Sequence, residues 1–242
     1  MRTSLAGIVL VLALVAAGCG GGGSSPNTTT TNGGGNGNGE ASKPAAQVLA
    51  DAAKAASAAT SLRLSGQVNA GAQKIGLDLS IASGKGATGS ITLKGAKVDI
   101  VVIGSKGYMK GGADFWTRYV GQSSSALVSL LAGKWIAFPT TTPQFAGFTA
   151  FTNTQGLFAK LRKAGGKVTS NGATTFKGQS VVSINGGPSN GTLYVANSGT
   201  PYPVALVKTG GGAGEIDFSD WGATVTLTAP SGAVNFSQLA GG

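Results

Sequence analysis

Apolar residues at every second position, separated by very short turns, limit much of this chain to an antiparallel sheet. The alternation is clearest in two neighbouring runs, at Leu62, Leu64, Gly66 and Val68 and at Ile75, Leu77, Leu79 and Ile81. A period of two is typical of half-buried strands. Further strands are predicted at 86–94, 97–103, 106–110 and 114–120, joined by turns rich in glycine and lysine. Parallel neighbours would need connections of about a dozen residues or more, and these turns are too short.

The second half of the chain repeats the strand pattern. Asn-Gly pairs at 171–172, 185–186 and 190–191 indicate hairpin turns. Strands are predicted at 167–170, 174–185, 191–196, 203–209, 213–218 and 223–228. Ten or eleven antiparallel strands in one sheet are enough for the sheet to curl.

Three segments with a helical period interrupt the strands. They are predicted at 44–60, 123–132 and 154–164, with Ser42 as the N-cap of the first helix and Pro44 in its first turn. The fold class is therefore α+β. Helices against the inner face of a curled sheet either pack solidly or leave a pocket. In the loop between the last two helices, Phe145, Phe148 and Phe151 are interpreted as a local core patch in preference to an exposed lid.

The first residues have the layout of an export signal. Arg2 is followed by an apolar run at 5–17 and by small residues directly before Cys19, the only cysteine of the 242 residues. The run is shorter than the roughly 20 residues that a membrane-spanning helix needs. Residues 20–43 contain no large apolar side chain, so they are expected to form a flexible tether. The predicted organisation is a signal peptide at 1–18, a lipidated cysteine and tether at 19–43, and one domain at 44–242.

The residues around the cysteine resemble a bacterial lipobox. Val15, Ala16, Ala17, Gly18 and Cys19 fit the pattern, although Ala16 stands where leucine is usual. The resemblance implies cleavage between Gly18 and Cys19 and acyl chains on Cys19, which would anchor an exported protein to the outer face of the cell membrane. Two or three acyl chains anchor a protein firmly to a membrane, whereas one chain gives only marginal membrane binding. The alternative is ordinary secretion with a free cysteine.

Enzymatic chemistry has little support in the composition. The chain has no histidine, and the lone cysteine permits neither an intramolecular disulfide nor a Cys-X-X-Cys site. Asp217 and Asp220 are close in sequence, but strand geometry separates their side chains, so they are interpreted as solvated or turn-capping acids. We therefore expect no catalytic residue, no metal and no cofactor.

A second resemblance lies in the C-terminal half. The segments Gly-Thr-Leu-Tyr-Val-Ala at 191–196, Pro-Tyr-Pro-Val-Ala-Leu at 201–206 and Phe-Ser-Asp-Trp at 218–221 resemble the LppX/LprG-type envelope lipoproteins of mycobacteria and their relatives. The resemblance implies a half-barrel of the LolA type with helices on its concave face and an apolar cavity between them. It also implies that an acylated lipid or glycolipid is bound there and carried or presented in the envelope. Pro201, Pro203 and Trp221 are interpreted as packing residues of that fold.

The inward sides of the early strands and the apolar sides of the mid-chain helices are the predicted ligand contacts. These residues are Leu64, Val68, Leu77, Leu79, Ile91, Leu93, Leu127, Leu131, Phe158 and Leu161. The expected partners are membrane lipids through Cys19, the acylated ligand, and an envelope transporter or acceptor protein. The alternative function is a sensor or scaffold lipoprotein that binds an envelope protein, and an enzyme ranks third.

The chain is basic, with 18 Lys and Arg against 8 Asp and Glu. For an exported protein this favours anionic head groups or acidic glycans as partners, and we expect no nucleic acid. Lys160, Arg162, Lys163 and Lys167 form the one sequence cluster of cations. They are interpreted as a solvated helix end in preference to a head-group site.

Overall fold

The computed structural model describes residues 37–71, 73–120, 125–141, 152, 154, 156, 158, 168–187, 190–210 and 212–236. A short 3-10 helix, Glu40–Ser42, precedes three α-helices: α1 (Ala45–Ala58), α2 (Ala113–Val120) and α3 (Ser125–Leu131). The strands are β1 (Ser61–Ala70), β2 (Gln73–Ala82), β3 (Gly86–Leu93), β4 (Ala96–Ile103), β5 (Lys106–Gly111), β6 (Ile136–Pro139), β7 (Thr169–Phe176), β8 (Gln179–Asn185), β9 (Thr192–Ala196), β10 (Pro203–Lys208), β11 (Gly214–Ser219) and β12 (Val234–Asn235).

The twelve strands of the described residues form one sheet. Its order is β12-β6-β5-β4-β3-β2-β1-β11-β10-β9-β8-β7, and the pairs are antiparallel except for the short parallel pair of β12 with β6. The two edge strands, β12 and β7, do not pair with each other, so the sheet is curled but not closed. The predicted α+β fold with a curled antiparallel sheet is confirmed.

Two glycines mark where neighbouring strands approach too closely for a side chain. Gly66 in β1 has φ 139° and Gly89 in β3 has φ 145°, values that other residues rarely adopt. A Cβ atom on Gly66 would overlap the carbonyl oxygen of Glu215 in β11, and one on Gly89 would overlap that of Asp78 in β2. Glycines of this kind permit sharp local curvature in a sheet. They therefore help the sheet to bend around its core.

The helices lie on both halves of the sheet. Helix α1 contacts β7, β8 and β10, whereas α2 contacts β4, β5 and α3. Val48, Leu49, Ala52 and Ala56 of α1 are buried against the common core, as the helical period predicts. Within the described residues, no helix has the length and apolar character needed to span a membrane.

The predicted strand at 114–120 is wrong, because these residues form α2. Phe115 and Trp116 are both buried although they are adjacent in sequence. Consecutive strand residues point to opposite faces, whereas this helix buries both rings against the same core. Only Gly112 separates the end of β5 at Gly111 from the start of the helix.

Several strand and cap predictions in other regions are also wrong. The predicted strand at 174–185 is two strands joined by a turn at Lys177 and Gly178, whose φ angles of 48° and 79° match a two-residue hairpin turn. Gly172, predicted to form a turn, lies at an irregularity inside β7. The predicted strand at 223–228 has no strand structure. Ser42 is not an N-cap, because α1 has Pro44 in that position.

Part of the segment assigned to the tether by composition contacts the domain. The Asn38 side-chain amide donates hydrogen bonds to the carbonyl oxygens of Ala196 (3.0 Å) and Gly199 (3.1 Å). The Lys43 ammonium group lies between the carboxylates of Glu40 (2.6 Å) and Asp51 (2.7 Å), which raise the pKa of Lys43, Asp51 having the larger effect. The ordered domain thus includes residues from at least Gly37.

Candidate ligand site on the concave face

Rows of apolar side chains run across the concave face at right angles to the strands. In one row, six residues lie directly opposite one another across six strands: Met109, Ile100, Gly89, Leu79, Leu64 and Phe218. The next row extends over eight strands: Val98, Ile91, Leu77, Gly66, Ile216, Leu206, Leu193 and Ile184. Because strand residues of one parity share a face, the alternation read from the sequence puts all of these on the helix side of the sheet.

The structure brings the predicted ligand residues together in one cluster. Six of them are buried: Leu64, Leu77, Leu79, Ile91, Leu131 and Phe158. Val68, Leu93 and Leu127 pack against the same cluster but are only partly buried. Leu161 lies outside the described residues, as do Phe145, Phe148, Phe151 and the predicted cation cluster at 160–167.

Two of the partly buried residues, Val68 and Leu93, mark one end of the sheet, which we call the open end. It is the end where β1 stops and β2 begins, and Val68 and Leu93 form its rim. Val68 in β1 pairs with Ile75 in β2, and Ile75 pairs with Leu93 in β3. The apolar surface is therefore continuous from the buried rows to the solvent at this end.

Aromatic rings fill the concave side near the opposite end. Phe158, whose backbone is helical as predicted, packs edge to face on Phe218 with ring centroids 5.4 Å apart. Trp221 lies 5.6 Å from Phe158 and stacks on Tyr202 at 4.6 Å. The Trp221 indole N–H donates to the Pro203 carbonyl oxygen at 3.2 Å. The interpretation of Pro203 and Trp221 as packing residues is confirmed.

Trp116 is a candidate site residue that the sequence did not indicate. Its side chain is 5% exposed and belongs to the common core, yet within the described part of the chain its indole Nε1 has no hydrogen-bond partner. A buried N–H without an acceptor is costly, and such groups are rare. Trp116 was not predicted as a core residue, because the strand predicted for this segment would place Phe115 and Trp116 on opposite faces of the sheet. The arrangement offers one hydrogen-bond donor to a ligand that enters the apolar core.

The polar groups of the convex face form surface ion pairs. Arg63 makes two hydrogen bonds to Asp78, at 2.9 and 3.0 Å. Lys177 contacts Asp217 at 2.6 Å and also contacts Glu215, and both carboxylates raise the pKa of Lys177, Asp217 having the larger effect. Each of these pairs is substantially exposed and contributes little to stability.

Asp217 and Asp220 do not form an acid–base pair. Asp217 accepts hydrogen bonds from Lys177, and Asp220 is exposed in a turn with φ 52°. Their interpretation as solvated or turn acids is confirmed. Among the described residues, no group of three or more His, Cys, Asp or Glu side chains is placed to hold a metal ion.

A separate groove of about 340 Å³ lies at the β6–β12 edge of the sheet. It is lined by Tyr108, Ala137, Pro139, Pro230 and Phe236, among others. Tyr108 and Ala137 lie opposite each other on the convex side, since their neighbours Met109 and Ile136 face the core. This groove is not part of the apolar rows, so we do not assign the ligand to it.

An unclosed sheet curled around an apolar core, with helices on its concave face, defines the half-barrel class of proteins. LprF from Mycobacterium bovis has this fold: it is 18% identical, the match covers 78% of this chain and 97% of LprF, and the TM-score is 0.56. The lipoprotein LppX of Mycobacterium tuberculosis is 14% identical, with 76% of this chain and 98% of LppX covered and a TM-score of 0.49. No protein-family model and no curated protein matches the sequence. The predicted LppX/LprG-like resemblance is confirmed at the level of the fold.

Proposed function

We propose that this protein is a lipid-anchored envelope lipoprotein whose half-barrel binds an acylated lipid or glycolipid and carries or presents it. The observation that carries the proposal is the continuous apolar surface from the buried rows to the rim. Val68 and Leu93 sit on the same face as Leu77 and Ile91, one row further toward solvent. An acyl chain entering between Val68 and Leu93 would meet the apolar side chains of the buried rows, and each buried CH₂ contributes about 0.8 kcal/mol.

Trp116 supports a ligand with a polar linkage as well as acyl chains. Its unpaired, buried N–H would donate to an ester or amide carbonyl oxygen. A pure hydrocarbon would leave this donor unsatisfied. The favoured substrate class is therefore an acylated lipid and not a free alkane.

The anchor and the location rest on the sequence. Acylation of Cys19 after removal of residues 1–18 would attach the domain to the outer face of the cell membrane through the tether. A carrier in that position exchanges its ligand with an envelope transporter or acceptor protein. The proposal includes no catalytic step.

A matched pair of variants tests whether the ligand lies on the concave face. Val68→Glu places a carboxylate on the rim, whereas Gln67→Glu places the same charge on the convex face of the same strand. The assay titrates each protein with pyrene-labelled phosphatidylcholine, whose head group has no net charge. We expect Val68→Glu to weaken binding about tenfold or more, because a carboxylate is costly in an apolar site.

Gln67→Glu should bind as the wild type does. Thermal unfolding by circular dichroism verifies that both variants are folded. Equal binding by both folded variants would place the ligand elsewhere and would contradict the proposal.

A further inference from the structure

The open end of the sheet carries a set of cations that have no carboxylate partner among the residues that the structure describes. Strand direction brings four of them to the end where β1 stops: one lies near the start of β2, one directly follows β3, one precedes β6 and one ends β10, while the fifth lies on α2. They are Lys74, Lys94, Arg118, Lys134 and Lys208. Lys208 in β10 pairs with Gly214, which pairs with Val68 of the rim. Arg118 donates to the backbone carbonyl oxygen of Lys94 at 2.9 Å, which holds the Arg118 guanidinium at the turn that carries Lys94.

Most carboxylates of the described residues are engaged with other cations. Lys43 forms ion pairs with Glu40 and Asp51, Arg63 with Asp78, and Lys177 with Glu215 and Asp217. Asp99 lies between Lys97 (3.6 Å) and Lys110 (3.9 Å). Among the described residues near the open end, the carboxylate that is not engaged in these ion pairs is that of Asp114, one helical turn before Arg118 on α2. The open end is therefore strongly positive.

An exposed apolar residue accompanies these cations. Leu130 on α3 is 46% exposed, and Lys134 follows it by four residues. The end of α3 is tied to the open end of β5 by a hydrogen bond from the Gly133 N–H to the Gly111 carbonyl oxygen (2.8 Å). A cationic surface with a projecting apolar side chain is typical of proteins that lie on an anionic bilayer.

We propose that the open end docks on the surface of an anionic lipid bilayer. Docking there would place the rim against the membrane from which a ligand enters or to which it leaves. The partner is identified by charge complementarity: each Lys or Arg near such a surface strengthens binding about fivefold. Docking does not require a loaded cavity, so it can be measured separately from ligand binding.

The tether leaves from the opposite end of the domain. Asn38, near the start of the described residues, donates hydrogen bonds to the β9–β10 turn at Ala196 and Gly199. The chain from Cys19 to Gly37 spans up to about 60 Å when extended. A ten-residue strand is about 33 Å long, so the tether is long enough for the open end to turn toward the same bilayer.

The test uses the chain from Gly20 to Gly242, which lacks only the predicted signal and the lipidated cysteine. The twelve strands and the core all lie within 37–236, so this removal takes away no described contact. Binding to vesicles of phosphatidylglycerol and phosphatidylcholine is measured by sedimentation, with pure phosphatidylcholine vesicles as the neutral reference.

Two double variants remove the same charge from opposite ends. Lys74→Gln with Lys94→Asn acts at the open end, where asparagine suits the left-handed conformation of Lys94 (φ 51°). Lys85→Gln with Lys106→Gln acts at the other end, at the start of β3 and of β5. We expect the first pair to weaken binding to anionic vesicles about 25-fold, at about fivefold for each cation. The second pair should change binding little, because charges beyond about 10 Å are screened at 0.1 M salt.

Three outcomes would overturn the proposal. One is the absence of preference for anionic over neutral vesicles. Another is an equal loss of binding in the two double variants, which would mean that net charge alone is responsible. The third is weak binding to vesicles together with tight binding to a soluble acidic polysaccharide that the open-end variants weaken. That result would mean that the surface binds a glycan.

Discussion

Replacing Gly66 by alanine should destabilise the domain strongly, because this glycine lies where β1 and β11 come closest. Its φ of 139° is a conformation that essentially only glycine adopts. The added Cβ would overlap the Glu215 carbonyl oxygen and lie 3.0 Å from the carbonyl carbon. Both atoms belong to the backbone of β11, so no side-chain rotation relieves the overlap.

The loss in free energy of unfolding caused by Gly66→Ala has two contributions. Backbone strain at such a position costs about 1–3 kcal/mol. Moving β11 away from Gly66 breaks about two hydrogen bonds of the ladder, at about 1 kcal/mol each. Together these give about 3–5 kcal/mol. For a domain of this size, 1 kcal/mol shifts the Tm by about 2–4 °C, so we expect the Tm to fall by about 6–20 °C.

Gly76→Ala is the matched control. Gly76 lies in the neighbouring strand β2 with no left-handed φ, and its Cβ would meet only side-chain atoms, the closest being Thr92 Cβ at 3.2 Å. Alanine is favoured over glycine inside a strand by about 0.5–1 kcal/mol, which offsets a small adjustment of Thr92. Thermal unfolding by circular dichroism compares the two variants. A Gly66→Ala protein that melts within about 2 °C of the wild type would refute this account of the sheet's curvature.

Three further predictions concern the ligand, the surface and the anchor. Trp116→Phe should weaken binding of ester-linked phosphatidylcholine about fivefold, the value of one hydrogen bond, in a pyrene-lipid titration; an equal loss with the ether-linked analogue would show that only shape was changed. Lys177→Gln should lower the Tm slightly at neutral pH. Asp217 and Glu215 raise the pKa of Lys177 above 10.5. The stability that these ion pairs contribute is present below pH 10.5 and is lost as the pH rises through the raised pKa. The difference in Tm between Lys177→Gln and the wild type should therefore vanish in strong alkali. Cys19→Ala should abolish metabolic labelling with a palmitate analogue, and persistent labelling would place acylation at another residue.

The hairpins of the first half could be predicted to within about one residue. Strands β1 and β2 alternate clearly, and strands β1 to β5 are joined by two-residue or three-residue connections, so local sequence largely determines their pairing. The apolar alternation in the sequence also identified most of the residues that form the rows on the concave face. This is why Leu64, Leu77, Leu79 and Ile91 appear together in the buried cluster.

Features that depend on distant contacts could not be read from the sequence. Val234 pairs in parallel with Ile136, almost a hundred residues away, and nothing local specifies this pair. Residues 223–228 alternate like a strand, yet they do not join the sheet. Ala223 instead accepts a hydrogen bond from the Ser61 hydroxyl at 2.5 Å. The unpaired N–H of Trp116 and the cationic open end likewise emerge only when the elements are assembled.

The central claim is that the concave face holds an acylated lipid, and native mass spectrometry tests it most directly. The chain from Gly20 to Gly242 would be produced in a bacterium with an acylated-lipid-rich envelope and analysed intact, with solvent extraction of the same sample. Our account predicts a stoichiometric mass addition that extraction releases as an acylated lipid. A clean apoprotein mass, with no uptake of phospholipid or glycolipid offered during refolding, would contradict it.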